Sequence, residues 1–204
     1  MSEQPFILGI AGGSASGKTT FAVQLKGMAG VNKAAVIAID SYYTRQDELS
    51  LEARAQTNYD HPAQFEFDLV IRDLKALKQG RTIELPVYDY SLHNRSAQTI
   101  QVKPVPLIIV EGVFALYVTE LRALYDLKMF MQLADEDRFQ CRLARDVKER
   151  GRSASSVYEQ WTTTVQPGFK TFAEPTLKFA DLVCNGLEFD RNVAQEILRR
   201  SSLI

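Results

Sequence analysis

Residues Gly12-Gly13-Ser14-Ala15-Ser16-Gly17-Lys18-Thr19 match G-x-x-x-x-G-K-S/T, a spacing that can grip a polyphosphate. Its glycines let backbone N–H groups turn inward around phosphate oxygens. The Lys18 amine can reach the β- and γ-phosphates of a nucleotide, and the Thr19 hydroxyl, with Thr20 beside it, can face Mg²⁺. Two carboxylates stand where short apolar runs end. Asp40 follows Ala35-Val36-Ile37-Ala38-Ile39 and could accept a proton from an attacking hydroxyl or hold Mg²⁺; its blander role is to cap a turn. Glu111 follows Leu107-Ile108-Ile109-Val110 and could face the same metal, directly or through water. Arg138, Arg142 and Arg145 recur on one helical face, followed by Arg150-Gly151-Arg152. With Asp135, Asp137, Asp146 and Glu149 among them, that pattern alone describes a solvated, salt-bridged surface helix. Beside a phosphate loop it reads as a mobile flap whose cations stabilise a moving phosphoryl group and whose closure excludes water.

Such residues need a scaffold that brings strand ends together. Short apolar runs predict buried strands over residues 6–11, 35–39, 107–110, 129–133 and 180–184. Helical patterns lie between them, over 18–28, 67–78, 135–149, 157–165 and 191–200. The alternation predicts an α/β fold, a mostly parallel sheet flanked by helices, with ligands at the carboxyl ends of the strands. Residues 82–102 break the rhythm and predict a β-hairpin excursion; residues 135–168 form the arginine-rich lid region. With 204 residues, no repeats and no dividing linker, the whole chain 1–204 reads as one domain.

A net charge of −1 leaves no nucleic-acid footprint, so any anion site must be built locally. No apolar run approaches bilayer length, and the first residues lack the basic segment of a secretory signal. Cys141 and Cys184 read as two reduced, buried thiols. The expected setting is the cytoplasm.

Taken together, these motifs resemble the uridine–cytidine kinase family of P-loop kinases over about residues 6–184. The phosphate loop, Asp40-Ser41-Tyr42-Tyr43, Asn58-Tyr59-Asp60-His61-Pro62, Pro86-Val87-Tyr88-Asp89-Tyr90 with His93 and Arg95, and Glu111-Gly112 match its elements in order. So do Arg142, Arg145-Asp146, Glu149-Arg150-Gly151-Arg152, Gln160 and Glu174-Pro175. The resemblance implies a P-loop NTPase fold and ATP-dependent phosphorylation of the 5′-hydroxyl of uridine or cytidine. It implies Asp40 as general base, Thr19, Asp40 and Glu111 around Mg²⁺, and Arg145 and Arg150 as phosphate-facing cations. Asp60 would bind the ribose hydroxyls with Arg142 and Gln160. Tyr88 and His93 would read the pyrimidine, and Tyr43 and Arg152 would lie on the nucleoside side. It also implies a homo-oligomer, often a tetramer. The chain departs from the family at Trp161, where tyrosine is usual, and over Val165-Gln166-Pro167-Gly168-Phe169, differences expected to affect lid packing and fine substrate preference more than reaction class.

Other readings stay open from sequence. A P-loop kinase for phosphoribulose precursors, pantothenate or nicotinamide riboside should lack the combined Asp60, Tyr88 and His93 set. A GTP-hydrolysing switch needs N-K-x-D, whereas Asn32-Lys33 is followed by Ala34-Ala35. A non-catalytic binding module is opposed by the presence of Lys18, Thr19, Asp40 and Glu111 together. No base-reading motif separates ATP from GTP as donor.

Overall fold

The segment Phe6–Gly12 is apolar on both faces, a pattern suited to a strand covered by helices on each side. In the computed structural model, which describes residues 4–204, it forms β1 at the centre of a five-stranded sheet. The other strands are β2 (Ala34–Ala38), β5 (Leu107–Glu111), β6 (Leu127–Gln132) and β7 (Leu182–Asn185). Their order is β2-β5-β1-β6-β7 and every pairing is parallel. The antiparallel pair β3 (Ile83–Asp89) and β4 (Asn94–Val102) forms the expected hairpin outside this sheet.

Alternate side chains of β1 feed two separate cores. Ile7 and Ala11 join Val70, Leu74 and Leu77, which recur at helical spacing on α3 (Phe67–Lys78). Leu8 and Ile10 join Phe21, Ala22 and Leu25 of α1 (Lys18–Ala29) and Ile197 and Leu198 of α8 (Arg191–Arg200). The short helix α4 (Thr119–Arg122) adds Leu121 to the first core, and α2 (Leu51–Ala55) is a short surface helix with no buried residue.

The helix expected over 157–165 is part of a longer, composite segment spanning 154–173. It runs as α6 (Ala154–Gln160), a π-helical stretch Trp161–Val165, α7 (Gln166–Gly168) and a second π-helical stretch Phe169–Ala173. The wide turns flank Pro167, whose missing N–H interrupts an α-helical ladder.

Helix α5 (Asp135–Arg150) lies where a helix was expected and turns part of its charge inward. Its inward stripe is Arg138, Arg142 and Asp146, all buried, rather than a solvated charged face. Cys141 lies off that stripe and is exposed, so only Cys184 is the buried thiol foreseen. Gly151 ends α5 in the left-handed region at φ 64°, which glycine adopts without strain.

Candidate active site

The site grows from the carboxyl ends of β1, β2 and β5. The turn after β1 is tight: Gly12 and Gly17 have φ 146° and 83°, and Ala15 sits at φ 60°. Lys18 opens α1 with its Nζ donating to the Gly13 carbonyl at 2.7 Å. Burial pulls its amine down to about 8, against the opposing pull of Glu111 and Asp40. Thr19 Oγ1 donates to Glu111 Oε1 at 3.0 Å, and burial raises the Glu111 carboxyl. Strand β2 stops at Ala38, so Asp40 lies in a 3₁₀ turn, Ile39–Tyr42, at the strand's end. The Tyr90 hydroxyl donates to Asp40 Oδ2 at 3.4 Å. Lys18, Thr19, Glu111 and Asp40 thus share one cleft, with hard oxygen donors of the kind Mg²⁺ prefers. Among the described residues no group of three or more His, Cys, Asp or Glu could hold a metal; Mg²⁺ ordinarily keeps few protein ligands and takes the rest from phosphates and water.

The second half of the cleft joins the hairpin to the α6 segment. Asp60 Oδ2 accepts from Thr164 Oγ1 at 2.7 Å, and burial raises the Asp60 carboxyl. Gln160 Oε1 accepts from Arg142 Nη2 at 2.8 Å and also from Arg152. The other end of the Arg142 fork donates to Ser14 Oγ at 2.7 Å, tying this side to the phosphate loop. At the hairpin end, Asp89 Oδ1 accepts from the Ser91 backbone and hydroxyl at 2.8 and 2.6 Å, which sets the turn. His93 follows at φ 48°, strained for a non-glycine residue. Its backbone carbonyl accepts from the Tyr59 hydroxyl at 3.1 Å, and the two rings stack with centroids 5.9 Å apart. Tyr43 packs between Tyr59 and Tyr88, at 5.1 and 4.9 Å. Burial lowers the His93 imidazole below its usual range.

Four arginines of α5 and the turn after it gather on one carboxylate. Fully buried Asp146 meets Arg145 at 2.8 Å, Arg142 at 3.5 Å, and Arg150 and Arg152 at 3.6 Å. The Arg150 guanidinium also lies 4.7 Å from the centre of the Tyr90 ring. A concavity of about 740 Å³ lies elsewhere, lined by Phe6, Pro106 and Asp126 at the opposite ends of the strands. Chemistry in an open parallel sheet belongs at the carboxyl ends, and the charged groups converge there.

The Phosphoribulokinase / Uridine kinase family description matches residues 7–191. The chain belongs to this family. It is 45% identical over 183 residues to a uridine kinase of Halalkalibacterium halodurans, covering 90% of this chain and 87% of that one. It is 47% identical over 178 residues to a uridine kinase of Macrococcus caseolyticus, covering 87% and 86%. A solved phosphoribulokinase from Rhodobacter spheroides shares the fold at TM-score 0.63 and 15% identity, over 88% of this chain and 69% of that one.

Three residues of this cleft make contacts that local sequence did not reveal. Thr164 lies one helical turn after Gln160, a spacing that could have flagged it. Asp146 was visible as a charge, but its burial among four arginines was not. Gly168 was expected to matter for lid packing, yet a Cβ there would meet the Asp60 carbonyl at 2.4 Å. That departure therefore bears on the carboxylate side of the cleft.

Proposed function

We propose that this protein is an ATP-dependent uridine kinase, transferring the γ-phosphoryl group of ATP to the 5′-hydroxyl of uridine or cytidine. The observation that carries the reading is one cleft joining a phosphate loop, a strand-end carboxylate, Asp60 of the 58–62 loop and the hairpin residues Tyr88 and His93. Relatives named uridine kinase, at 43–47% identity over nearly the whole chain, support it.

Asp40 takes the proton of the 5′-hydroxyl as that oxygen attacks the γ-phosphorus. The bond to the bridging oxygen breaks, and ADP leaves. Gly12, Gly13, Ser14, Ala15, Ser16, Gly17, Lys18, Thr19 and Thr20 hold the triphosphate, with Arg145 and Arg150 supplying further positive charge. The oxygens of Thr19, Glu111 and Asp40 suit Mg²⁺, which when bound would neutralise charge on the β- and γ-oxygens. Asp60 accepts from the vicinal ribose hydroxyls, with Arg142, Arg152 and Gln160 around it. Losing the 2′-hydroxyl would leave part of that buried acceptor unpaired, at a cost of about 1–3 kcal/mol. Tyr43, Tyr88 and His93 form the base side. The chain acts as a single kinase domain in the cytoplasm, as a homo-oligomer by family resemblance.

An acceptor panel with coupled ADP detection, run with Mg²⁺ and with EDTA, tests this. Uridine and cytidine should turn over, deoxyribonucleosides poorly, and EDTA should stop the reaction. Equal turnover without any acceptor, or faster turnover of pantothenate or nicotinamide riboside, would overturn the assignment.

A further inference from the structure

Arg138 is the largest fully buried side chain among the described residues, too enclosed to serve as a cation on a mobile flap, and the proposed mechanism gives it no part. One guanidinium nitrogen, Nη2, pairs with Asp135. The plane lies 4.0 Å from the centre of the Phe169 ring and 5.1 Å from that of Trp161. Its Nε and Nη1 have no hydrogen-bond partner among the described residues. Burying an ion with unused donors is costly, and a fold that does so ordinarily has an acceptor for them in some state.

The neighbour of those unused donors is the phosphate loop. A Cβ built on Gly13 would lie 2.1 Å from Arg138 Nη1 and 2.6 Å from Cζ. The guanidinium therefore packs directly against the loop at Gly13, in the space a Cβ there would take. Lys18 Nζ meanwhile donates to the carbonyl of that same glycine. When Lys18 turns to a bound polyphosphate, the carbonyl loses its donor.

We propose that Arg138 is a positioning residue for the nucleoside triphosphate, a buried cation that braces Gly13 and replaces Lys18 as donor to the loop when Lys18 engages the phosphates. The aromatic clamp of Phe169 and Trp161 keeps the charge in place, and links the α6–α7 segment to the loop. The inference rests on the reading that residues 12–19 hold a triphosphate.

Neutral replacements separate this role from a purely structural one. Asp135 would not be stranded, because it also accepts from Gln166 at 2.8 Å and meets Lys170 at 3.7 Å. Asp135 is also about a third exposed, so removing Arg138 leaves no buried charge unpaired and takes away a desolvated ion with unused donors. Arg138→Met and Arg138→Gln should therefore keep the wild-type melting temperature or exceed it. ATP titrated with Mg²⁺ by calorimetry should bind each at least about tenfold more weakly, while uridine Kd stays within about twofold. A folded variant that binds ATP like wild type overturns the proposal, as does failure of both variants to fold, which would make Arg138 a structural ion. Wild-type protein that fails to bind ATP would instead sink the triphosphate reading itself.

Discussion

Two side chains set the chemistry of the cleft at the smallest scale. Asp40 carries the proton transfer in the proposed mechanism, and a general base typically contributes about 10²- to 10⁴-fold. Asp40→Asn should lower kcat at least about a hundredfold while ATP binding measured by calorimetry survives. Near-normal turnover would remove Asp40 from the role. Lys18 has the opposite requirement, since it must be charged to hold phosphate. Burial brings its amine down to about 8 in the ligand-free protein. Its folded pKa is depressed, so the free enzyme loses the proton as pH rises through about 8, and binding a polyanion must then take one up. ATP affinity should be level below that pH and weaken above it, by up to about tenfold per pH unit. Titrations between pH 6.5 and 9.5 check this, and a flat profile would contradict it.

Elements decide how these groups meet. Helix α5 spends its inward stripe on Arg138, Arg142 and Asp146 instead of on apolar residues. Asp146 is the counter-ion that allows Arg142, Arg145, Arg150 and Arg152 to crowd together. Removing one partner from a buried ion cluster leaves uncompensated charge. Asp146→Asn should cost about 3 kcal/mol, read as a lower urea midpoint at unchanged slope. The composite helix 154–173 makes a different demand. Its π-helical turns bring Gly168 onto the Asp60 backbone, where no Cβ fits. Gly168→Ala should displace Asp60 and raise the uridine KM by roughly tenfold, the equivalent of about 1.4 kcal/mol of overpacking, with the ATP KM unchanged. Equal changes in both KM values would point to general distortion of the fold.

For the molecule as a whole, two cores share one sheet, and both press on the strand that feeds the phosphate loop. Ligands bound only by the folded state stabilise by mass action. ATP-Mg²⁺ or uridine at a hundred times its Kd should add about 2.7 kcal/mol, a melting shift of roughly 5–10 °C for a chain of this size. Unfolding should stay a single cooperative transition if residues 1–204 form one domain, and a second transition in calorimetry would divide it.

Much of this was already present in local sequence. The predicted helices at 67–78 and 191–200 stand where the structure has them, because their periodicity and ends are properties of consecutive residues. The five strands are displaced only at their ends, by one or two residues in most cases. The phosphate loop and its family were legible for the same reason: a glycine turn between strand and helix works through its own backbone. Charge, by contrast, does not reveal burial. The α5 arginines have the pattern of a solvated surface, and only their placement against the loop and Asp146 turned that face inward. Contacts such as Thr164 on Asp60, 104 residues apart, and Arg142 on Ser14, 128 apart, depend on the path of the whole chain. Pattern along the chain can therefore identify the chemistry available, whereas desolvation and long-range pairing, which decide what each charged group touches, arise only when distant segments pack.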